Sequence, residues 1–166
     1  MGTGKTSVGH ALAVALNFRM VDTDQLIEEQ TGKRITEIFA TEGEAQFRVY
    51  ERRTVDDLSQ QSGLVIATGG GLAANAENLA SLKSHALVVC LWASPETIWH
   101  RVRHQTHRPL LHDADPLAKI RRLLAEREPF YRQADVLMNT ELRSVREVAH
   151  QILHQFHLAR TAPRRL

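Results

Sequence analysis

At 166 residues the chain fits one domain and is long enough to bury a proper core. Hydrophobic residues make up 43% and charged residues 24%, as in ordinary soluble globular proteins, and no apolar run nears the ~18 residues of a membrane helix. The net charge of +2 is too small to argue for a nucleic-acid partner, and the single cysteine excludes an internal disulfide. That cysteine, Cys90, sits in the apolar run ALVVCLW and is expected to be a small buried hydrophobe. With no basic-then-apolar leader in the sequence, a reducing cytoplasm and no membrane are the expected setting. None of the nine histidines falls in a metal-binding spacing.

Short apolar runs alternate with longer helical stretches, the pattern of a parallel sheet wrapped by helices. Lys5 to Leu16 carries a helical stripe of Val8, Ala11, Leu12 and Ala15. Phe18 to Val21 reads as a strand ending at Asp22, and 23–31 as a helix closed by Gly32. Thr36 is expected to cap a short helical turn, and a longer helix follows from Glu44 to Gln60. LVIAT, 64–68, is a continuous apolar strand of the kind buried on both faces, as is Ala86 to Trp92. Between them, Asn75 to Lys83 is helical. Ser94-Pro95-Glu96 starts another helix with proline at its first position. Residues 105–115 break the pattern; Pro116 then opens a helix to about Phe130, with an irregularity expected at Pro129. Val136 to Met138 is a last strand and Ser144 to Leu158 a last amphipathic helix. The basic residues 159–166 are expected to be a disordered tail.

Four features carry chemistry. Gly2, Thr3 and Gly4 curl ahead of a helix, so that backbone N–H groups face a phosphate. Lys5 is placed to reach the β- and γ-phosphates, and the Thr6 hydroxyl to hold Mg²⁺. Asp22 and Asp24 of VDTD lie at the carboxyl end of a strand, where open α/β sheets place ligands. One can serve the metal and the other a substrate hydroxyl; a plain helix cap is the bland alternative. ATGGGLA follows the next strand, and three glycines in a row exceed what a turn requires, leaving bare backbone for a small molecule to approach. Arg48, Arg101, Arg108 and Arg127 are the fourth feature, since arginine suits bidentate carboxylate and phosphate recognition.

The runs M-G-T-G-K-T-S-V-G, V-D-T-D, T-G-K-x-I-x-E-I-F, G-E-x-x-F-R-x-x-E, T-G-G-G, R-P-L-L and E-R-x-P-x-Y together resemble the shikimate kinase family, in the family's order from Met1 to about Leu158. The resemblance implies a three-layer α/β/α P-loop kinase fold, with a five-stranded parallel sheet and a lid at about 105–116. It implies transfer of the γ-phosphoryl of ATP to the 3-hydroxyl of shikimate, with Mg²⁺, on the route to chorismate and the aromatic amino acids. Residue by residue, it makes Gly2, Thr3, Gly4, Lys5, Thr6 and Ser7 the phosphate loop, and Thr6 with Asp22 the Mg²⁺ shell. Asp24 becomes the candidate base and a contact to shikimate's hydroxyls. Arg48 and Arg127 become the carboxylate clamp, and Gly69, Gly70 and Gly71 the pocket lining. Arg108 matches the lid arginine at the ATP phosphates, and Arg101 a residue flanking adenine. Shikimate and ATP are then the partners, and a monomer is expected.

Three departures stand beside the match. The stretch from Tyr131 to Thr140 is one residue short, and Val145 stands where some members have proline. The phosphate-loop pattern G-x-x-x-x-G-K-[ST] would place its first glycine two residues ahead of Met1, and no strand feeds the loop. Met1 is therefore not expected to be the natural start. A feeding strand would occupy the middle of the sheet and bury about five apolar side chains at ~1.5–3 kcal/mol each. The 166 residues alone are expected to be unfolded, aggregated, or loose with an open slot between strands. Two competing readings are another small-molecule kinase, of gluconate type, and a truncated relative that binds without turnover.

Overall fold

The computed structural model describes residues 2–104 and 115–161. Helix α1, Lys5–Leu16, starts after Gly4, whose φ of 89° is costly for any side-chain-bearing residue. It buries Val8, Leu12 and Ala13, while Ala15, placed on the stripe by its spacing, faces water. Strand β1, Arg19–Asp22, leads into α2, Thr23–Thr31, and Gly32 closes that helix at φ 67°. Helix α3, Ile35–Thr41, begins one residue before Thr36, so Thr36 is not its cap. The Ile35 N–H is taken instead by Glu28 Oε1 of α2, at 2.8 Å, a contact no local pattern announces. Helix α4 is Gly43–Ser59, β2 is Leu64–Ala67, and a 3₁₀ turn at Leu72–Ala74 precedes α5, Ala76–His85, which Asn75 caps.

Strand β3, Val89–Trp92, is followed by α6, Pro95–Val102, capped by Ser94 with Pro95 at the first position. Helix α7, Pro116–Tyr131, carries Pro129 inside its last turn. Strand β4, Val136–Asn139, leads to α8, Val145–Thr161, which runs three residues past the expected start of the tail. Helices α1 and α8 pack together through Val8, Leu12, Val148, Ala149 and Ile152, with Met138 beneath them.

The strands form two parallel pairs. In the first, β1 lies on β2 with Arg19 opposite Leu64 and Asp22 opposite Ala67. In the second, β3 lies on β4 with Val89 opposite Val136 and Trp92 opposite Asn139. Among the described residues nothing pairs β2 with β3. A trough of about 900 Å³ separates them, lined by both strands. Residues of both β2 and β3 face it. It also corrects one expectation: Leu64, Val65, Ile66, Val89, Cys90 and Leu91 are half-buried rather than buried on both faces. Each lacks a neighbour along one edge. Cys90 is accordingly a wall of the trough and not a core residue, although burial still pushes its thiol pKa up.

Candidate active site

The phosphate loop is held by its surroundings at one end of the trough. A Cβ on Gly2 would meet Val102 Cγ1 at 2.8 Å, so only glycine lets the loop lie against α6. Thr3 is buried, whereas Thr6 and Ser7 are exposed in the first turn of α1, where helix N–H groups point outward. Arg101 donates to the Thr140 hydroxyl at 2.9 Å and the Thr140 carbonyl at 2.7 Å, and reaches the Gly2 carbonyl at 3.5 Å. It thus ties α6, the end of β4 and the loop together.

Asp22 and Asp24 divide their work. Asp22 Oδ1 accepts from the N–H groups of Asp24, at 3.0 Å, and Gln25, at 3.4 Å, capping α2. The cap leaves Asp22 Oδ2 out of those two bonds. Asp24 sits two residues on, in the first turn of α2, half-buried. Burial first, then the neighbouring Asp22 and Glu51 charges, push its pKa up to about 6, against an opposing pull from Lys5. That places Asp24 near the value that suits a proton acceptor around neutral pH.

The glycine turn after β2 is gripped from three sides. Gly69 N–H donates to the buried Thr23 hydroxyl at 3.0 Å. The Gly70 carbonyl accepts from the Tyr131 hydroxyl at 2.6 Å and from Arg127 Nη1 at 3.1 Å. A Cβ on Gly69 would collide with the Asp24 carboxylate, and one on Gly71 would lie 2.9 Å from Arg48 Nη1. The bare backbone is what allows the aspartate and the arginine to flank one small space. Arg48 is itself ion-paired twice, to Glu51 through Nη1 and to Glu44 through Nη2, both at 2.6 Å. Glu51 is 1% exposed; burial raises its pKa while Arg48 and Arg127 oppose the rise. Glu44 is 65% exposed, so an incoming carboxylate can replace it at little cost.

The structure therefore brings Asp24, Arg48, Arg127 and Gly69 to Gly71 around one space, with the loop, Lys5 and Arg101 beside it. Arg108 and the expected lid at 105–116 lie outside the described residues, apart from Asp115 and Pro116, which start α7. Sequence reasoning missed three supporting side chains. Thr23 was hidden between the two aspartates, while Glu51 and Tyr131 close the runs F-R-x-x-E and E-R-x-P-x-Y without any role assigned to them. Their signal was position at a motif's edge, but only folding shows which atoms they hold.

A glycine loop at a helix N-terminus, acidic groups at a strand end, and paired arginines across a bare backbone turn define a P-loop phosphotransferase for a small anionic acceptor. Residues 1–157 match the model of the family described as shikimate kinase. The chain is 41% identical to the shikimate kinase of Caldanaerobacter subterraneus over 94% of its own length and 91% of that protein. It is 44% identical to that of Chromobacterium violaceum, over 93% of this chain and 85% of the relative. The structure of shikimate kinase from Acinetobacter baumannii in complex with shikimate overlays with a TM-score of 0.89 at 38% identity, covering 98% of this chain and 91% of that one. The chain belongs to the shikimate kinase family, ATP-using enzymes that phosphorylate shikimate.

Proposed function

We propose that Arg48 and Arg127 hold the carboxylate of shikimate while Asp24 faces the 3-hydroxyl that receives the phosphoryl group. Bidentate arginine contacts suit the single carboxylate, and the turn of Gly69 to Gly71 lets the ring lie against backbone. The hydroxyl oxygen attacks the γ-phosphorus of ATP held at Gly2 to Ser7, ADP departs, and the hydroxyl proton passes to Asp24. Lys5 stabilises the charge that gathers on the transferring group. Positioning and electrostatics supply most of the acceleration in such transfers. Asp24 therefore orients the hydroxyl as well as taking its proton.

The Thr6 hydroxyl and the Asp22 carboxylate are oxygen donors that suit a hard cation, and Asp22 keeps one oxygen outside its cap. They would hold Mg²⁺, which when bound neutralises phosphate charge. Arg101 is proposed to flank the adenine, being fixed by Thr140 beside the loop.

The observation that carries this reading is the joint placement of Asp24 and Arg48 against a glycine turn with no side chain between them. An ADP-release assay with MgATP and shikimate, gluconate or quinate tests it. Product with shikimate alone is expected; turnover of gluconate in its place overturns the acceptor. The trough favours a second reading, in which this chain binds shikimate without turning it over. Calorimetric binding of shikimate with no ADP release would select that one.

A further inference from the structure

Helix α6 is capped from outside its own sequence. Ser94 is its N-cap, and Ser94 Oγ accepts from the Thr97 N–H at 3.3 Å. In a capping box the residue three positions on is a Glu or Gln that reaches back to the N-cap N–H. Here that residue is Thr97, and the carboxylate comes instead from Glu141, in the loop after β4. Glu141 Oε1 accepts from the Ser94 N–H at 2.8 Å and from the Thr97 hydroxyl at 2.9 Å. The bonds from Ser94, then that from Thr97, push its pKa down to about 2, so a charged carboxylate meets the helix N-terminus, where the helix dipole favours it.

The same short segment holds the other end of α6. Thr140, next to Glu141, takes Arg101 of the last turn on its hydroxyl and its carbonyl. Thr140 stands on the sheet, since its N–H donates to the Trp92 carbonyl at 3.0 Å, one residue beyond the paired part of β4. The Glu141 N–H donates to Asn139 Oδ1 at 2.7 Å, which fixes the turn. Two adjacent residues therefore clamp α6 at both ends, and the buried face of α6 backs the phosphate loop. A Cβ on Gly2 would lie 2.8 Å from Val102 Cγ1 and 3.1 Å from Ile98 Cγ2, so the space at Gly2 is set by where those side chains stand. We propose that Glu141 is a positioning residue for the nucleotide side, which rests on the reading that ATP lies at Gly2 to Ser7. By completing the α6 cap it fixes Ile98 and Val102 behind Gly2 and Arg101 on Thr140, and so acts through α6. Helix α6 also packs on α7 through Ile98 and Ile120, so losing the cap loosens its setting without unfolding it.

The full chain is compared with Glu141→Ala, Glu141→Gln and Thr97→Val. Calorimetry measures binding of a nonhydrolysable ATP analogue and of shikimate, and amide NMR signals are followed with no ligand present. Glu141→Ala should weaken analogue binding by about tenfold, the lower end of what losing a supporting contact costs a bound group. Shikimate binding should stay within about twofold, since the acceptor pocket takes no contact from α6. Glutamine can still accept both bonds, without the charge, and should come within about threefold of wild type. Thr97→Val should give a smaller loss in the same direction, and adding it to Glu141→Ala should cost little more. The Thr3 and Gly4 amide signals should shift in Glu141→Ala while those of Gly69 and Gly70 stay. Wild-type analogue affinity in folded Glu141→Ala overturns the proposal, as does a glutamine variant no better than alanine. Equal weakening of shikimate and analogue also overturns it, because that is general loosening. Unmoved Thr3 and Gly4 signals do the same, since α6 would then not carry the effect. Should Glu141→Ala not fold, Thr97→Val decides, and wild-type analogue affinity there is the overturning result. Shifted signals with unchanged analogue affinity place the nucleotide away from the loop, which sinks the underlying reading and the positioning role with it.

Discussion

The proposed acceptor side and the proposed nucleotide side of this site are built on opposite plans. Around Gly69 to Gly71 side chains from distant elements meet the backbone: Thr23 from α2 takes the Gly69 N–H, Tyr131 and Arg127 from α7 share the Gly70 carbonyl, and Arg48 from α4 lies close by. The phosphate loop instead leans on α6 through Gly2 and on Arg101, with an empty trough beside Thr3. The acceptor side is preorganised by contacts far apart in sequence. The nucleotide side rests on α6 and, through Arg101, on the end of β4. If the contrast is sound, substitutions on the two sides should separate cleanly into shikimate effects and ATP effects.

The largest effect should come from Lys5→Ala, which removes the cation proposed to face the transferring phosphoryl group. A loss of about 10²–10³-fold in kcat is expected, as for other preorganised charge-stabilising groups, with calorimetric shikimate affinity preserved. Loss of shikimate affinity as well would break the division between the two sides. Next, Arg127→Ala and Arg48→Ala should weaken shikimate binding by about ten- to a hundredfold, the ~1.5–3 kcal/mol of a charge-assisted contact. Binding of a nonhydrolysable ATP analogue should stay within about twofold. Wild-type shikimate affinity in both variants would show that the clamp lies elsewhere.

Asp24 offers a test of opposite signs. Its folded pKa of about 6 lies above the ordinary carboxylate value of 3.8, so folding favours the protonated form. Its ionisation therefore costs stability, and the cost is incurred as pH rises through about 6. Asp24→Asn should raise the unfolding free energy at pH 8 but not at pH 4, by up to ~3 kcal/mol at 1.36 kcal/mol per pKa unit. The same substitution should lower kcat, and the wild-type rate should fall below pH 6. A variant equally stable at both pH values would contradict the burial of that charge. The smallest expected effect belongs to Glu44→Gln, which frees Arg48 from an exposed ion pair. Shikimate binding should tighten by about twofold, in line with the ~0.3–0.5 kcal/mol of such pairs; weaker binding would mean that Glu44 orients the clamp.

Much of this was legible without coordinates because it depends on local chemistry. The apolar spacing of α1, the Gly32 stop of α2, the Ser94-Pro95 start of α6 and the strand runs follow from backbone preferences that act within a few residues. Gly2 of the phosphate loop and Gly69 and Gly71 of T-G-G-G mark places where a side chain would collide with its neighbours. Tertiary structure alone decided the rest. The capping of Ile35 by Glu28, the meeting of Tyr131 and Arg127 on one Gly70 oxygen, and the burial of Glu51 behind Arg48 each join separately folded elements. The raised pKa of Asp24 has the same origin, because the burial and the Glu51 charge that raise it, and the Lys5 charge that opposes them, exist only once α1, α2 and α4 have packed. Chain order fixes which side chains are available, but a charge feels distance in space, and packing sets that distance.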